Sequence, residues 1–196
     1  LGGDEAKAPV LVAAQRARAG SHPEPPRPVY HQAGDARTAE AFRLTRPENL
    51  ELNIRLQDSG WDRDVHFVNT GVPHAVLFSE EADHEDLSQL GPWLRYHLRF
   101  APQGCNVNIV QSTQDGLYLR TYERGVEDET YACGTGAVAA AYIARALGHI
   151  GDSIHITTSG GERLAVSFQG EDAFLQAAAT FVYQAELNCS ALGLSP

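Results

Sequence analysis

The sequence predicts a mixed α/β fold, with many short strands gathered around one dominant buried helix. Three observations carry this. Apolar residues alternate with polar ones in runs from Phe42 to Phe174, the period-2 pattern of strands. Residues 137–147 form a single alanine-rich run closed by Gly148, a strong helix former with a glycine stop. Glycine and proline punctuate the intervals between runs, as turns require. With 43% hydrophobic and 20% charged residues the composition is globular, and 196 residues suffice for one large or two small domains.

Along the chain, residues 1–40 show poor periodicity. Residues 9–13 (PVLVA) read as a short strand, and the proline-rich stretch 21–28 reads as an exposed loop. Phe42, Leu44, Leu50, Leu52, Ile54 and Leu56 alternate as one half-buried strand or two, broken at Pro47. Residues 65–68, a turn punctuated by Gly71 and Pro73, and residues 75–78 read as strand, turn and strand. Leu87, Leu90 and Leu94 lie at helical spacing within 84–97, where Pro92 leaves either one helix or two short pieces. Residues 106–110 and 117–122 flank a Gln-Asp-Gly turn and predict a hairpin. Strands at 154–158 and 164–168 surround Gly160-Gly161, and strands near Phe174 and at 181–183 follow.

The formal charge of −10 argues against a nucleic-acid partner, which would require a basic stripe. No apolar run reaches membrane-spanning length and no signal peptide opens the chain, so no membrane is expected and the cytoplasm is the default. Three cysteines without a CxxC pair argue against a disulfide framework and a structural zinc site. The chain starts at Leu1 and contains no methionine; the expectation is that a native upstream segment is missing.

The chemistry concentrates in Tyr122-Glu123-Arg124-Gly125-Val126-Glu127-Asp128-Glu129-Thr130-Tyr131-Ala132-Cys133-Gly134-Thr135-Gly136. Cys133 stands just before the predicted helix, whose dipole and unpaired N–H groups favour an anion. A thiol there is expected to be shifted from about 8.5 toward neutrality. The N–H groups of Gly134 and Thr135 can hold a carboxylate beside it, so one turn offers a base and an anion hole. The alternative for Cys133 is an inert buried thiol; for His74 it is a ring capping a proline turn, and for Glu123 and Arg124 a solvated pair.

The Tyr-Glu-Arg-Gly and Glu-Thr-x-Ala-Cys-Gly-Thr-Gly elements closely resemble a signature of the diaminopimelate epimerase family. The resemblance extends to Asn69-Thr-Gly-Val-Pro-His74, to Phe100-Ala-Pro-x-Gly-x-Asn106-Val-Asn and to Gly160-Gly161, over residues 42–186. It implies two similar α/β halves, each a curved, mostly antiparallel sheet or barrel wrapped around a central helix buried all round. Residues 1–34 would then be a remnant of the first half, 35–178 the second half, and 179–196 a terminal strand and tail returning to the first.

The resemblance further implies cofactor-independent epimerisation of LL- and meso-diaminopimelate, a step of lysine and peptidoglycan-precursor biosynthesis. Two thiols would act on opposite faces of the α-carbon, with no metal and no partner beyond the small substrate and a second copy in a homodimer. Cys133 matches one thiol; Glu123 and His74 match residues at the amino group. Arg124 and Asn106 match those binding the distal carboxylate and amine, and Gly134 and Thr135 those receiving the α-carboxylate. Family members often have Asn where this chain has Val72, and Asn69 is the candidate replacement. Nothing here matches the first cysteine turn; Cys105 and Cys189 open no helix, so this chain alone is expected to be inactive. The other readings are a proline- or hydroxyproline-type racemase and a non-catalytic binding module.

Overall fold

The computed structural model describes residues 37–38 and 41–179. The strand readings at 9–13 and 181–183, the loop at 21–28, Cys189, the division at 1–34 and, apart from Ala179, the division at 179–196 lie outside the described residues. In chain order the elements are β1 (Arg37–Thr38), β2 (Phe42–Thr45), β3 (Glu48–Asp58), β4 (Trp61–Asn69), β5 (Pro73–Phe78) and α1 (Leu87–Arg95). There follow β6 (Asn106–Thr113), β7 (Gly116–Glu123), β8 (Asp128–Thr130) and α2 (Gly134–Ala146). Last come β9 (Ser153–Thr158), β10 (Arg163–Gln169), β11 (Asp172–Gln176) and β12 (Ala178–Ala179).

The main sheet runs β2-β11-β10-β9-β7-β6-β5-β4-β3, with β8 on β7 and a separate β1-β12 pair. Only β5/β6 and β7/β9 are parallel; the other pairs of this mostly antiparallel sheet run oppositely. Its two outermost strands, β2 and β3, are joined by Arg46 and Pro47 alone. A two-residue link brings the sheet's two edges together at one end, so the sheet must curl, and it curls around α2.

α2 is the enclosed helix the alanine run predicts: Gly136, Ala137, Val138, Ala139, Ala140, Ala141, Ile143 and Ala144 are all buried. Short side chains let strands approach on every side, and Gly148 at φ 77° ends it. Strands β4 to β7 alternate between two cores. Val68, Val76, Val110, Leu117 and Leu119 face α2, while Val65, Ala75, Leu77, Val107, Ile109 and Tyr122 face α1 on the outside. The 84–97 stretch is one helix through Pro92 rather than two pieces, with Asp86 capping it by accepting from Ser88 N at 3.1 Å.

One sequence expectation changes. The alternation through β3 is not a single face, because Asn49 and Asn53 take φ of 55° and 56° and the β3/β4 register shifts between Glu48 and Glu51 and again between Glu51 and Ile54. Each irregularity re-aims the side chains that follow. Leu52 therefore packs toward α2, Ile54 and Leu56 pack toward α1, and Leu50 stays exposed.

Candidate functional site

The inner face of β5 to β7 delivers polar side chains to the N-terminus of α2. His74 is paired with Asn106 across the parallel β5/β6 ladder. By the strand period Asn106 and Asn108 share the α2-facing side with Val110, and Thr121 and Glu123 share it with Leu117 and Leu119. His74, Asn106, Asn108 and Thr121 are all buried there. Cys133 is the residue immediately before α2, extended at φ −138° and ψ 106°.

The Cys133 thiol is buried and lies 3.4 Å from Thr135 Oγ1. Thr70 Oγ1 in turn donates to the Thr135 carbonyl at 3.0 Å, tying the β4–β5 turn to the first turn of α2. Burial pushes the Cys133 thiol up from its ordinary value; hydrogen bonds from Thr135 and from the Gly136 N–H oppose this, and the Glu123 carboxylate adds to it. The lowering expected from the helix end does not prevail, because desolvation of a thiolate in this enclosed position outweighs the dipole. In this state Cys133 is a thiol, the form that gives a proton. Cys105 is also buried, its Sγ is 3.7 Å from the Leu94 carbonyl, and burial pushes it up to about 12, as befits a structural thiol.

Arg124 sits in a tight turn fixed from several sides. Its N–H donates to Asn106 Oδ1 at 2.7 Å. Glu127, at φ 59°, accepts from Gly125 N at 3.0 Å and from Arg95 Nε and Nη2 at 3.1 and 3.0 Å. The Tyr122 hydroxyl donates to the Glu127 carbonyl at 2.8 Å. Among the described residues the Arg124 guanidinium enters no salt bridge, unlike Arg95 and Arg120 nearby. Its charge is felt at His74, where it helps depress the imidazole.

The structure thus gathers Cys133, Gly134, Thr135, His74, Asn106, Glu123 and Arg124 around one helix end. Asn69 stands apart in its bonding: its Oδ1 accepts from Gly71 N at 2.9 Å and shapes its own turn. Sequence reasoning passed over Thr70, Asn108 and Thr121. The signal for Asn108 was present, since it stands two residues from Asn106 in one strand and so shares its face. No group of His, Cys, Asp and Glu among the described residues is arranged to hold a metal ion. An open groove lined by Gln114, Asp115, Ser153, His155 and Gln176 shares no residue with this site.

His74 links the site to stability. Burial holds its pKa at about 4, against an ordinary 6.5. A lowered histidine pKa contributes stability that is complete above pH 6.5 and lost as pH falls through about 4, a window worth roughly 3 kcal/mol. Urea unfolding from pH 7.5 to 4 is expected to show this loss, and His74→Gln to lack that portion of it. His66, lowered by the same cause, keeps its own contribution in both proteins. Parallel loss in variant and wild type would exclude His74 as the source.

The fold matches solved amino-acid racemases at low identity. A hydroxyproline epimerase from Agrobacterium vitis superposes with a TM-score of 0.56 at 18% identity, over 70% of this chain and 48% of that one. A probable proline racemase from Agrobacterium radiobacter K84 does so at 0.51 and 17%, over 73% and 52%. Sequence comparison is more specific. The family model described as diaminopimelate epimerase matches residues 66–182, and the chain belongs to that family.

Relatives named diaminopimelate epimerase include one from Methanocella arvoryzae, 46% identical over 125 residues, covering 64% of this chain and 44% of the relative. Another, from Hydrogenobaculum sp., is 42% identical over 149 residues, covering 74% and 54%. A third, from Chlorobaculum tepidum, is 40% identical over 153 residues, covering 76% and 59%. The chain spans about half the length of the curated relatives it matches.

Proposed function

We propose that this chain supplies one of the two proton-transferring thiols of a diaminopimelate epimerase, and that the complete enzyme interconverts the LL and meso forms without a cofactor. The observation that carries the reading is the buried Cys133 thiol at the first turn of α2, beside the Thr135 hydroxyl. A thiolate on the opposite face removes the α-proton, the Cα–H electron pair becomes a carbanion, and Cys133 returns its own proton to that carbon. Cys133 is then the thiolate and its partner the thiol, which sets up the reverse direction.

The N–H groups of Gly134 and Thr135 hold the α-carboxylate and offset the developing charge. Glu123 and His74 receive the amino group. Arg124 clamps the distal carboxylate, a role supported by its lack of a salt bridge among the described residues. Asn106 holds the turn that carries Arg124 and meets the distal end from there, and Asn69 shapes the turn before His74. The distal charge pair favours diaminopimelate over proline, which has one charged end.

The test joins this chain to an upstream half bearing the other thiol, in cis or as a separate chain. Diaminopimelate, proline and lysine are then offered in deuterated water. Exchange and epimerisation are expected for diaminopimelate alone, and no epimerisation by the 196-residue chain by itself. Arg124→Lys is expected to lower kcat/KM at least about tenfold, because a point charge cannot reproduce a bidentate fork. Equal turnover of proline would overturn the substrate, and unchanged kinetics in a folded Arg124→Lys protein would remove Arg124 from the site.

A further inference from the structure

Beneath the first turn of α2, one buried side chain that the reaction above does not use touches a residue that it does. Asn108 is fully buried on the inner face of β6. Its Nδ2 donates to Thr121 Oγ1 at 2.8 Å, and its Oδ1 lies 2.7 Å from His74 Nδ1. A side-chain amide divides into one donor end and one acceptor end. With the donor end committed to Thr121, Oδ1 can only accept, so His74 Nδ1 must carry the proton.

The rest of the ring follows. His74 is neutral at working pH, because burial dominates and the one charge felt there, that of Arg124, also disfavours the imidazolium. A neutral ring protonated at Nδ1 leaves Nε2 as a bare lone pair. That Nε2 is buried and has no hydrogen-bond partner among the described residues. Buried acceptors are seldom left unmet, and one at a binding site awaits a donor. An ammonium group has donors only; the other tautomer would set N–H against N–H.

We infer that Asn108 is a positioning residue: anchored on Thr121, it fixes His74 as the Nδ1–H tautomer and so presents Nε2 as an acceptor for the ammonium group of the substrate. The inference rests on the epimerase reading above. It also ties the tautomer to the catalytic turn. A Cβ placed on Gly136 would lie 2.5 Å from Asn108 Nδ2 and 3.3 Å from Cys133 Sγ, so the amide, the glycine and the thiol share one contact point.

Nitrogen-15 NMR of the 196-residue chain reads the tautomer directly. His74 is expected to show a protonated Nδ1 and an unprotonated Nε2 between pH 6 and 8, and the opposite tautomer would overturn the inference. Thr121→Val, which frees the amide to turn over, is expected to admit the Nε2–H form; an unchanged tautomer there would refute the anchoring role. Asn108→Asp sets a carboxylate against Nδ1 and is expected to raise the His74 protonation midpoint. In the joined enzyme this variant's KM for diaminopimelate is expected to be about tenfold higher at pH 6 than at pH 8, with kcat moving less, since an imidazolium cannot accept. A raised midpoint with a flat KM profile would show that Nε2 meets no ammonium. Wild-type protein that binds no diaminopimelate would refute the epimerase reading and the ammonium half of the inference with it, and the tautomer measurement separates that failure from a wrong tautomer.

Discussion

Replacing Cys133 by alanine in the joined enzyme is expected to lower kcat/KM by at least about a hundredfold and up to about ten-thousandfold, the range that a positioned proton donor or acceptor supplies. The substrate should still bind, because the backbone N–H groups of Gly134 and Thr135 and the Arg124 fork are untouched. Loss in kcat with KM nearly unchanged is the pattern of a group that acts only in the transition state. Cys105→Ala is the contrasting variant. Its thiol is buried, and held at about 12 it is protonated at any working pH. Kinetics should be wild type there, with a stability cost of about 1 kcal/mol for the lost packing. Deuterium uptake at the α-carbon separates the cases. Retention of a tenth or more of wild-type epimerisation by Cys133→Ala would end the assignment of Cys133 as a reacting thiol.

The second large effect concerns Gly136→Ala, where two opposing terms must be weighed. Gly136 is the third residue of α2, and alanine in a helix is worth up to about 1 kcal/mol over glycine. Against this, the added Cβ would stand 2.5 Å from Asn108 Nδ2. That amide cannot swing away cheaply, since it is buried and bonded at both ends, to Thr121 and to His74. Overpacking of this kind costs about 1–3 kcal/mol, so the substitution is expected to be net destabilising by about 1–2 kcal/mol. Gly151→Ala is the control: a Cβ there meets nothing within 4 Å, and its stability should be unchanged. Urea midpoints of the two variants measure the difference. A Gly136→Ala protein as stable as wild type would mean that the amide row is looser than its hydrogen bonds imply.

Much of the fold was legible because periodicity is a local property. The α2 helix announced itself through alanines and a terminal glycine, and the β6–β7 hairpin through Gln-Asp-Gly. The turn before α2 was legible for a different reason, since Cys-Gly-Thr-Gly at a helix start acts through its backbone, which follows directly from the residue types. What escaped was decided by pairing between distant segments. The β3 irregularities at Asn49 and Asn53 look like ordinary polar positions until β4 fixes the register. The raised Cys133 thiol escaped because a helix end can be read from sequence, whereas the burial that opposes it comes from strands folding around it. Thr121 was indistinguishable from a solvated strand residue until β6 brought Asn108 against it.

The meeting of the sheet's two edges also bears on how the protein is made. Strand β2 is near the beginning of the described chain and pairs with β11, near its end; Arg43 and Asp172, which bridge them, are 129 residues apart. At ordinary translation speeds of about 5–20 residues per second, β2 waits roughly 6 to 26 seconds for its neighbour to be synthesised. During that interval β2 has no partner among the described strands, and α2 leaves the ribosome before β9, β10 and β11 exist to cover one of its sides. A nascent chain in this condition exposes both an unpaired edge and an alanine-rich apolar helix, the features that chaperones bind and that aggregation exploits. Slow elongation after α2 therefore prolongs the most vulnerable period of this chain, and release of its last strands closes it.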